Sequence, residues 1–504
     1  MKVLITSNFE SETMKIILKN ICLVLMGLIW VVDSAMAQES DSEDPQLEVS
    51  VMDFDTFMKF VSEHHPLSKS AELRLKESEL LEQKAKGGFD PKLYAESSEK
   101  RFDDKRYYQH SSAGVKIPTW LGLELQAGVD QSVGEYINPE SKTPDGGLYY
   151  AGLSMNLLRG LTLDKRRLER KKAQQYETYN EEERKIRLNK LYQEAGNSYW
   201  NWFVAYNILD TYHKSLELST ERFEQIKRNS ELGDKPALDT LIAKIQVQEQ
   251  EMALKDAEIK YYKATQELGT YMWFNGSIPL ALSDNVTPEA LEKVLLEAPK
   301  LIEDVNVDSL LENHPIIKQN QTKIDMLMLE QRWSKEQLKP NLNLKYNVLS
   351  ENVLSQDGSR AFSPLDNYKW GVSFEMPLFL RKERAGVKIS ELKIEEQNYA
   401  NQSKQQELVA KVKVQLQTIQ NNLDQLDLYS QTMNNYGSLL TAEQRLYSVG
   451  EGSLFLVNSR ESNYIKAQVD WIKLFGKTRI NVIDYEFISG TSDFIELKNE
   501  MESF

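Results

Sequence analysis

The chain has one cysteine in 504 residues, Cys22, and it lies in an opening stretch that reads as a targeting signal. Without that stretch there is no thiol, so disulfides and thiol chemistry are excluded. No later segment has 18 or more consecutive apolar residues, so a helical membrane span is excluded, and any entry into a membrane must be by strands. An excess of positive charge is also missing: net charge is −15 and pI about 5.1. Phosphate binding needs a basic surface, which argues against a nucleic-acid partner. There is no glycine-rich phosphate loop and no zinc-type cluster of cysteine and histidine. No cofactor, metal or catalytic residue is therefore expected. Proline is absent over two long stretches, Leu161 to Glu231 and Ala237 to Met272.

The opening stretch has a basic start (Lys15, Lys19), an apolar run from Ile21 to Val32, and Ala35-Met36-Ala37 as a cleavage site. The expected cut follows Ala37 and makes Gln38 the first mature residue. Met14 is a second candidate start, because the thirteen residues before it do not resemble a signal. A flexible acidic leader is expected over 38–52.

The proline-free stretches meet at Leu232 to Lys244, LGDKPALDTLIAK. Gly233 ends one helix and Pro236 begins the next, which makes this the tip of a long helical hairpin. The device returns at Val449 to Ser462, where Gly450 stands 217 residues after Gly233. Leu188, Tyr192, Ala195, Tyr199, Trp202, Tyr206, Leu209, Leu216 and Phe223 keep a 4-3 spacing. From Tyr192 on, the same offset gives Val409, Val412, Leu416, Ile419, Leu423, Leu426, Met433 and Leu440. An apolar period of 3.5 over this length means helices coiling around neighbours. A helix of roughly 70 residues is ~105 Å long, so it is built to span a distance.

Between the helical blocks the period changes to two. Tyr149, Ala151, Leu153 and Met155 alternate with Tyr150, Gly152, Ser154 and Asn156. An offset of 219 gives Tyr368, Trp370, Val372 and Phe374, alternating with Lys369, Gly371, Ser373 and Glu375. Leu342 to Val348 and Leu121 to Val129 alternate in the same way. Such strands fit either a half-buried sheet in water or a membrane barrel with an apolar outside and a polar lumen. The signal stretch and the missing helical span favour the barrel. Asn156, Lys345, Asn347, Lys369 and Glu375 would then line the lumen. Trp120, Tyr149, Tyr150, Tyr368 and Trp370 would form membrane girdles against outer-membrane lipid. Helices flank each strand block on both sides, so each block has an even number of strands. The second block has two and the first two or four. At most about six strands come from one chain, too few for a channel, so several chains must share a barrel.

The expected division is a first repeat over 53–272 (helices 53–86, strands 91–158, hairpin 160–272), an equatorial linker over 273–304, a second repeat over 305–488 (helices 305–338, strands 340–378, hairpin 381–488) and a tail over 489–504. His64-His65 could suggest a metal site. The second repeat keeps only His314-Pro315, 249 residues after His65-Pro66, which fits a helix junction better. Two other functions fit the pattern less well. A trimeric coiled-coil adhesin would carry one C-terminal barrel, whereas strands here are interior to both halves. A hydrolase with paired carboxylates finds no marked pocket.

The two-part plan, the two His-Pro-helix-Pro-strand entries, Leu157-Leu158-Arg159-Gly160, Met376-Pro377-Leu378-Phe379 and the two tips together resemble the TolC-like outer-membrane efflux family. The resemblance covers about Asp53 to Ile488. It implies a mainly helical fold with transmembrane β structure, a homotrimer whose chains close one twelve-stranded barrel, and a long periplasmic helical tunnel. The implied function is an exit duct for an inner-membrane pump of RND or ABC type, reached through a periplasmic adaptor. The adaptor would meet Leu232, Gly233, Val449 and Gly450, supported by Ala237, Leu238, Ser453 and Leu454. Family members can carry acids six and nine residues past the second tip glycine. This chain has Leu456 and Ser459 there, and only Asp239 in the first repeat. The expectation is a partly apolar gate held around Arg460 and Glu461. Segments before Leu148 that alternate in excess of the family plan could widen the barrel or form a surface hairpin.

Overall fold

The computed structural model describes residues 51–283, 285–296, 307–352, 362–363 and 365–491. The signal stretch, nearly all of the leader and of the expected tail, and most of the loop expected at Glu351 to Pro364 lie outside the described residues. Among the described residues, no helix is long and apolar enough to cross a membrane.

Strand β1 (Val51–Met52) leads into helices α1 (Phe54–His64) and α2 (Pro66–Lys86). Four strands follow: β2 (Lys92–Phe102), β3 (Lys105–Pro118), β4 (Leu123–Val133) and β5 (Leu148–Asn156). Then come the long hairpin α3 (Lys165–Glu231) and α4 (Ala237–Gly269). The linker holds the short strands β6 (Trp273–Phe274), β7 (Ile278–Pro279) and β8 (Thr287–Pro288) and the helix α5 (Leu291–Leu296); α6 (Val307–Asn313) opens the second half. Helix α7 (Pro315–Glu336), strands β9 (Asn341–Ser350) and β10 (Tyr368–Glu375), and the hairpin α8 (Arg381–Ser448) and α9 (Leu454–Ser489) complete the chain.

Helix α3 runs for 67 residues without a break, about 100 Å at 1.5 Å per residue. Its start is fixed by Asp164, whose side chain accepts the Arg167 N–H at 2.8 Å. Every other long helix but α8 packs on it: α2, α4, α7 and α9. The main core gathers at its middle. Tyr199, Trp202 and Phe203 of α3, Phe57 and Met58 of α1 and Leu268 at the end of α4 are almost wholly buried, joined by Phe475 of α9. Val286 and Val294 of the linker close the same cluster, so the linker is part of the core. Helices α3 and α9 approach so closely that a Cβ on Gly196 would meet Ile483 Cδ1 at 2.7 Å.

The helix junctions match across the two halves. His65 caps α2 by accepting the Leu67 N–H on Nδ1 at 3.2 Å, and His314 caps α7 by accepting the Ile316 N–H on Nδ1 at 3.2 Å. A proline follows each, at the first helical position where no N–H is needed. Among the described residues no group of three or more histidine, cysteine or acidic side chains could hold a metal.

Burial lowers the pKa of both cap histidines, and only the neutral ring can accept at Nδ1. The unfolded chain then binds more protons than the folded one below the ordinary value of about 6.5, so stability is held above that pH and lost as pH falls beneath it. We expect the melting temperature to fall on acidification from about pH 7 to pH 5, and to fall less in the double variant His65→Asn, His314→Asn, which keeps a cap acceptor without titrating there. Circular dichroism melts at the two pH values check this.

Candidate functional site

The six longer strands form one antiparallel sheet in the order β10-β9-β5-β4-β3-β2. The first strand block therefore supplies four strands, the larger of the two numbers its sequence allowed. Register assigns every side chain to a face. One face carries Val372, Leu344, Met155 and Leu123 in one row, then Trp370, Tyr346, Leu153, Leu125 and Ile117 in the next. The other carries Lys369, Asn347, Gly152, Gln126, Lys116 and Lys92 in a single row. A sheet in water covers its apolar face; here the covering is reversed. Trp370 and Phe374 on the apolar face are 62% and 65% exposed, while Gln126 and Asn347 on the polar face are each 5% exposed.

The polar face is held by its own hydrogen bonds. Gln126 Nε2 donates to Asn347 Oδ1 at 2.6 Å, Ser154 Oγ to Asn343 Oδ1 at 3.1 Å, and Asn156 Nδ2 to Asn341 Oδ1. All five residues expected in the lumen share this face: Asn156, Lys345, Asn347, Lys369 and Glu375. Gln126, Glu124, Asp130 and Lys116 join them from strands whose membership the sequence left open.

The five girdle candidates divide. Tyr149, Tyr368 and Trp370 lie on the apolar face, and Tyr368 stacks on Tyr346 at 5.8 Å. Trp120 sits in the turn between β3 and β4, 66% exposed. Tyr150 does not belong with them: neighbours in a strand point to opposite faces, and Tyr150 is buried on the polar face over Gly128. A Cβ on Gly128 would meet the Tyr150 hydroxyl at 2.8 Å.

At the far end of the helices, the two tips are built alike. Gly233 and Gly450 both have φ of 85°, a left-handed turn that glycine adopts without strain. The bond Asp234 N–H to Asn229 O at 2.9 Å in one tip matches Glu451 N–H to Leu446 O at 3.0 Å in the other. Leu232, Gly233, Ala237, Leu238, Val449, Gly450 and Ser453 are exposed. Leu454 is not. At 1% exposure it packs with Ile226 and Ala243, so it locks α9 onto the first hairpin and cannot form outer contact surface. Ser453 caps α9 by accepting the Leu456 N–H at 3.3 Å.

The gate candidates also separate. Glu461 is 5% exposed and receives Arg222 of α3 through two bonds of 2.6 and 2.9 Å. This paired fork ties the second hairpin to the first. Asp239 lies beside Tyr447 of the other tip, whose pKa is raised by burial and by that carboxylate. Lys235 stands 4.5 Å over the Tyr447 ring. Leu456 remains exposed, Ser459 and Arg460 are half-buried, and none of the three joins this link. Arg222, Lys235 and Tyr447 escaped the sequence reading because no local spacing connects residues more than 200 positions apart.

Residues 306–490 match the model of the family described as outer membrane efflux protein. No curated protein sequence matches. Among solved structures, the outer-membrane channel OprN is 12% identical with a TM-score of 0.64, covering 87% of this chain and 90% of its own. CusC, described through its folding and transmembrane channel formation, is 15% identical with a TM-score of 0.61, covering 91% and 97%. The Campylobacter jejuni CmeC outer membrane channel is 12% identical with a TM-score of 0.60, covering 93% and 96%. Residues 306–490 thus match the outer membrane efflux protein family, and the chain as a whole shares the fold of these TolC-like channels.

Gly128→Leu should force the Tyr150 ring off the wall or part β4 from its neighbours, an overpacking cost of about 1–3 kcal/mol. The expected outcome is a lower melting temperature than the parent; Gly146→Leu, with open space around it, should leave it unchanged.

Proposed function

We propose that three copies of this chain form a passive exit duct, with the sheet in the outer membrane and the helical hairpins forming a tunnel through the periplasm. The observation that carries this reading is the reversed sheet continued by helices about 100 Å long. An apolar face left bare and a polar face closed on itself suit lipid outside and water inside. The two halves serve as two copies of one plan, each giving strands to the wall and a hairpin to the tunnel. No residue does chemistry, and specificity rests with the inner-membrane pump that delivers substrate.

The exposed tips, Leu232-Gly233 with Ala237 and Leu238, and Val449-Gly450 with Ser453, are the contact surface for a periplasmic adaptor. Their small apolar character leaves the backbone open to a partner helix. Arg222–Glu461, with Lys235, Asp239 and Tyr447, forms the clasp that holds the tip closed. Asn156, Lys345, Asn347, Lys369 and Glu375 line the barrel, and Tyr149, Tyr368, Trp370 and Trp120 meet the membrane interfaces.

Four outcomes test this. Purified protein in a planar bilayer should form pores, and deletion of the gene should sensitise cells to toxic compounds; absence of pores even with the adaptor present would end the reading. Arg222→Ala strands a buried carboxylate, a cost of about 3–5 kcal/mol borne by the closed state. It should raise the open fraction at least tenfold, read as single-channel open time. Gly233→Val places a β-branched residue at φ 85° and should weaken adaptor capture while leaving bilayer conductance near the parent value.

A further inference from the structure

The sheet presents two unpaired edges, β2 and β10. Nearly every residue of β2, and every residue of β10, is exposed, in contrast to β5 and β9 between them. In lipid, an open edge leaves backbone N–H and C=O groups without partners, so each edge must be covered by another strand. Six antiparallel strands place the edges in opposite directions, so β10 of a second copy laid against β2 continues the antiparallel order.

The added strands carry the features of barrel wall. Their apolar face is in register with the rest: Tyr368, Val348, Ala151, Ala127, Val115 and Leu93 form one row across all six strands. The tyrosines Tyr149 and Tyr368 lie seven residues above the lower ends of β5 and β10. The same height on β2 and β3 is Glu99 and Ser111, and the side chains beneath on that face are Leu93, Ala95 and Ser97, and Ile117, Val115 and Ala113. No charged side chain of the pair falls on the apolar face below that level.

The lower ends also climb steadily. Asn156 pairs with Asn343, two residues up from Asn341; Leu123 with Met155, one up; Pro118 with Glu124, one up; and Lys92 with Lys116, two up. β10 and β9 end level, Glu375 against Asn341, and the other four steps all run in one sense, a climb of six residues over the five pairings. With ~3.4 Å per residue and ~4.8 Å between strands, this corresponds to a strand tilt of about 40°, inside the range for membrane barrels. A surface hairpin outside the wall would have no reason to keep that stagger.

We propose that all six strands of each chain enter the barrel, that β2 pairs with β10 of a second copy, and that three copies close eighteen strands where the family resemblance implied twelve. The inference rests on the trimeric duct reading and deepens it. Barrel diameter grows roughly linearly with strand number, so the mouth would be about half again as wide as a twelve-stranded one. The substrate class it suits is correspondingly bulky.

Disulfide mapping tests this on the full-length protein in its own outer membrane, in a Cys22→Ser background without other cysteines. One set pairs a β2 cysteine (Glu96→Cys or Ser98→Cys) with a β10 cysteine (Lys369→Cys or Gly371→Cys). The second pairs a β4 cysteine (Gln126→Cys or Asp130→Cys) with the same β10 positions. Within one chain neither β2 nor β4 adjoins β10, so oxidation reports contacts between copies. The expected result is dimers and trimers on denaturing gels from the β2 set, with most chains linked, and none from the β4 set. Links from the β4 set would place β2 and β3 outside the wall and overturn the proposal. Links from neither set would overturn it as well. Pore formation in bilayers, measured on the same variants under reduction, separates the readings: conduction with β4 links would leave the duct standing and remove only the wider wall.

Discussion

The structure turns on one antiparallel sheet whose covering is the reverse of that of a sheet folded for water. Its apolar face is bare and its polar face is closed by side-chain bonds such as Gln126 to Asn347 at 2.6 Å. Its two outermost strands, β2 and β10, are the edges of the sheet. A sheet folded for water would have placed Trp370, Val372 and Phe374 against a layer of helices; here the helices leave from one end of the strands and continue away from them.

The helices depend on a different economy of contacts. A hairpin of 67 and 33 residues cannot be stable as an isolated amphipathic pair with so polar a surface, and it is held chiefly at its middle. There Tyr199, Trp202 and Phe203 of α3 meet Phe57, Met58, Leu268 and Phe475. Toward the tip the packing thins to a small cluster of Ile226, Ala243 and Leu454, and the Arg222–Glu461 pair joins the hairpins. Strong packing at the middle and few buried groups at the tip make the tip the part that can move at least cost.

Much of this was legible beforehand because it follows from short-range rules. The tips were marked by Gly233 and Gly450, since only a left-handed turn closes those helices, and both have φ of 85°. The junction role of His65 and His314 followed from the proline after each, and the caps are as that order suggests. The alternation of β9 and β10 assigned Lys345, Asn347, Lys369 and Glu375 to one face without a structure. Tyr150 was misplaced among the girdle residues although the same period-two rule sends it to the polar face. Its aromatic character outweighed its position in the strand.

The sequence by itself determined where helices begin and end, which strand residues share a face, and that no helix among the described residues is long and apolar enough to cross a membrane. Each of these is set by neighbours a few positions apart, through backbone sterics, capping and periodicity. Tertiary structure alone decided that β2 and β3 join the same sheet, that Leu454 is buried between helices, and that Glu461 meets Arg222 across 239 positions. Those outcomes depend on which surfaces meet after the long helices pack, and a polar, heptad-patterned helix face offers many equivalent partners until the fold selects one.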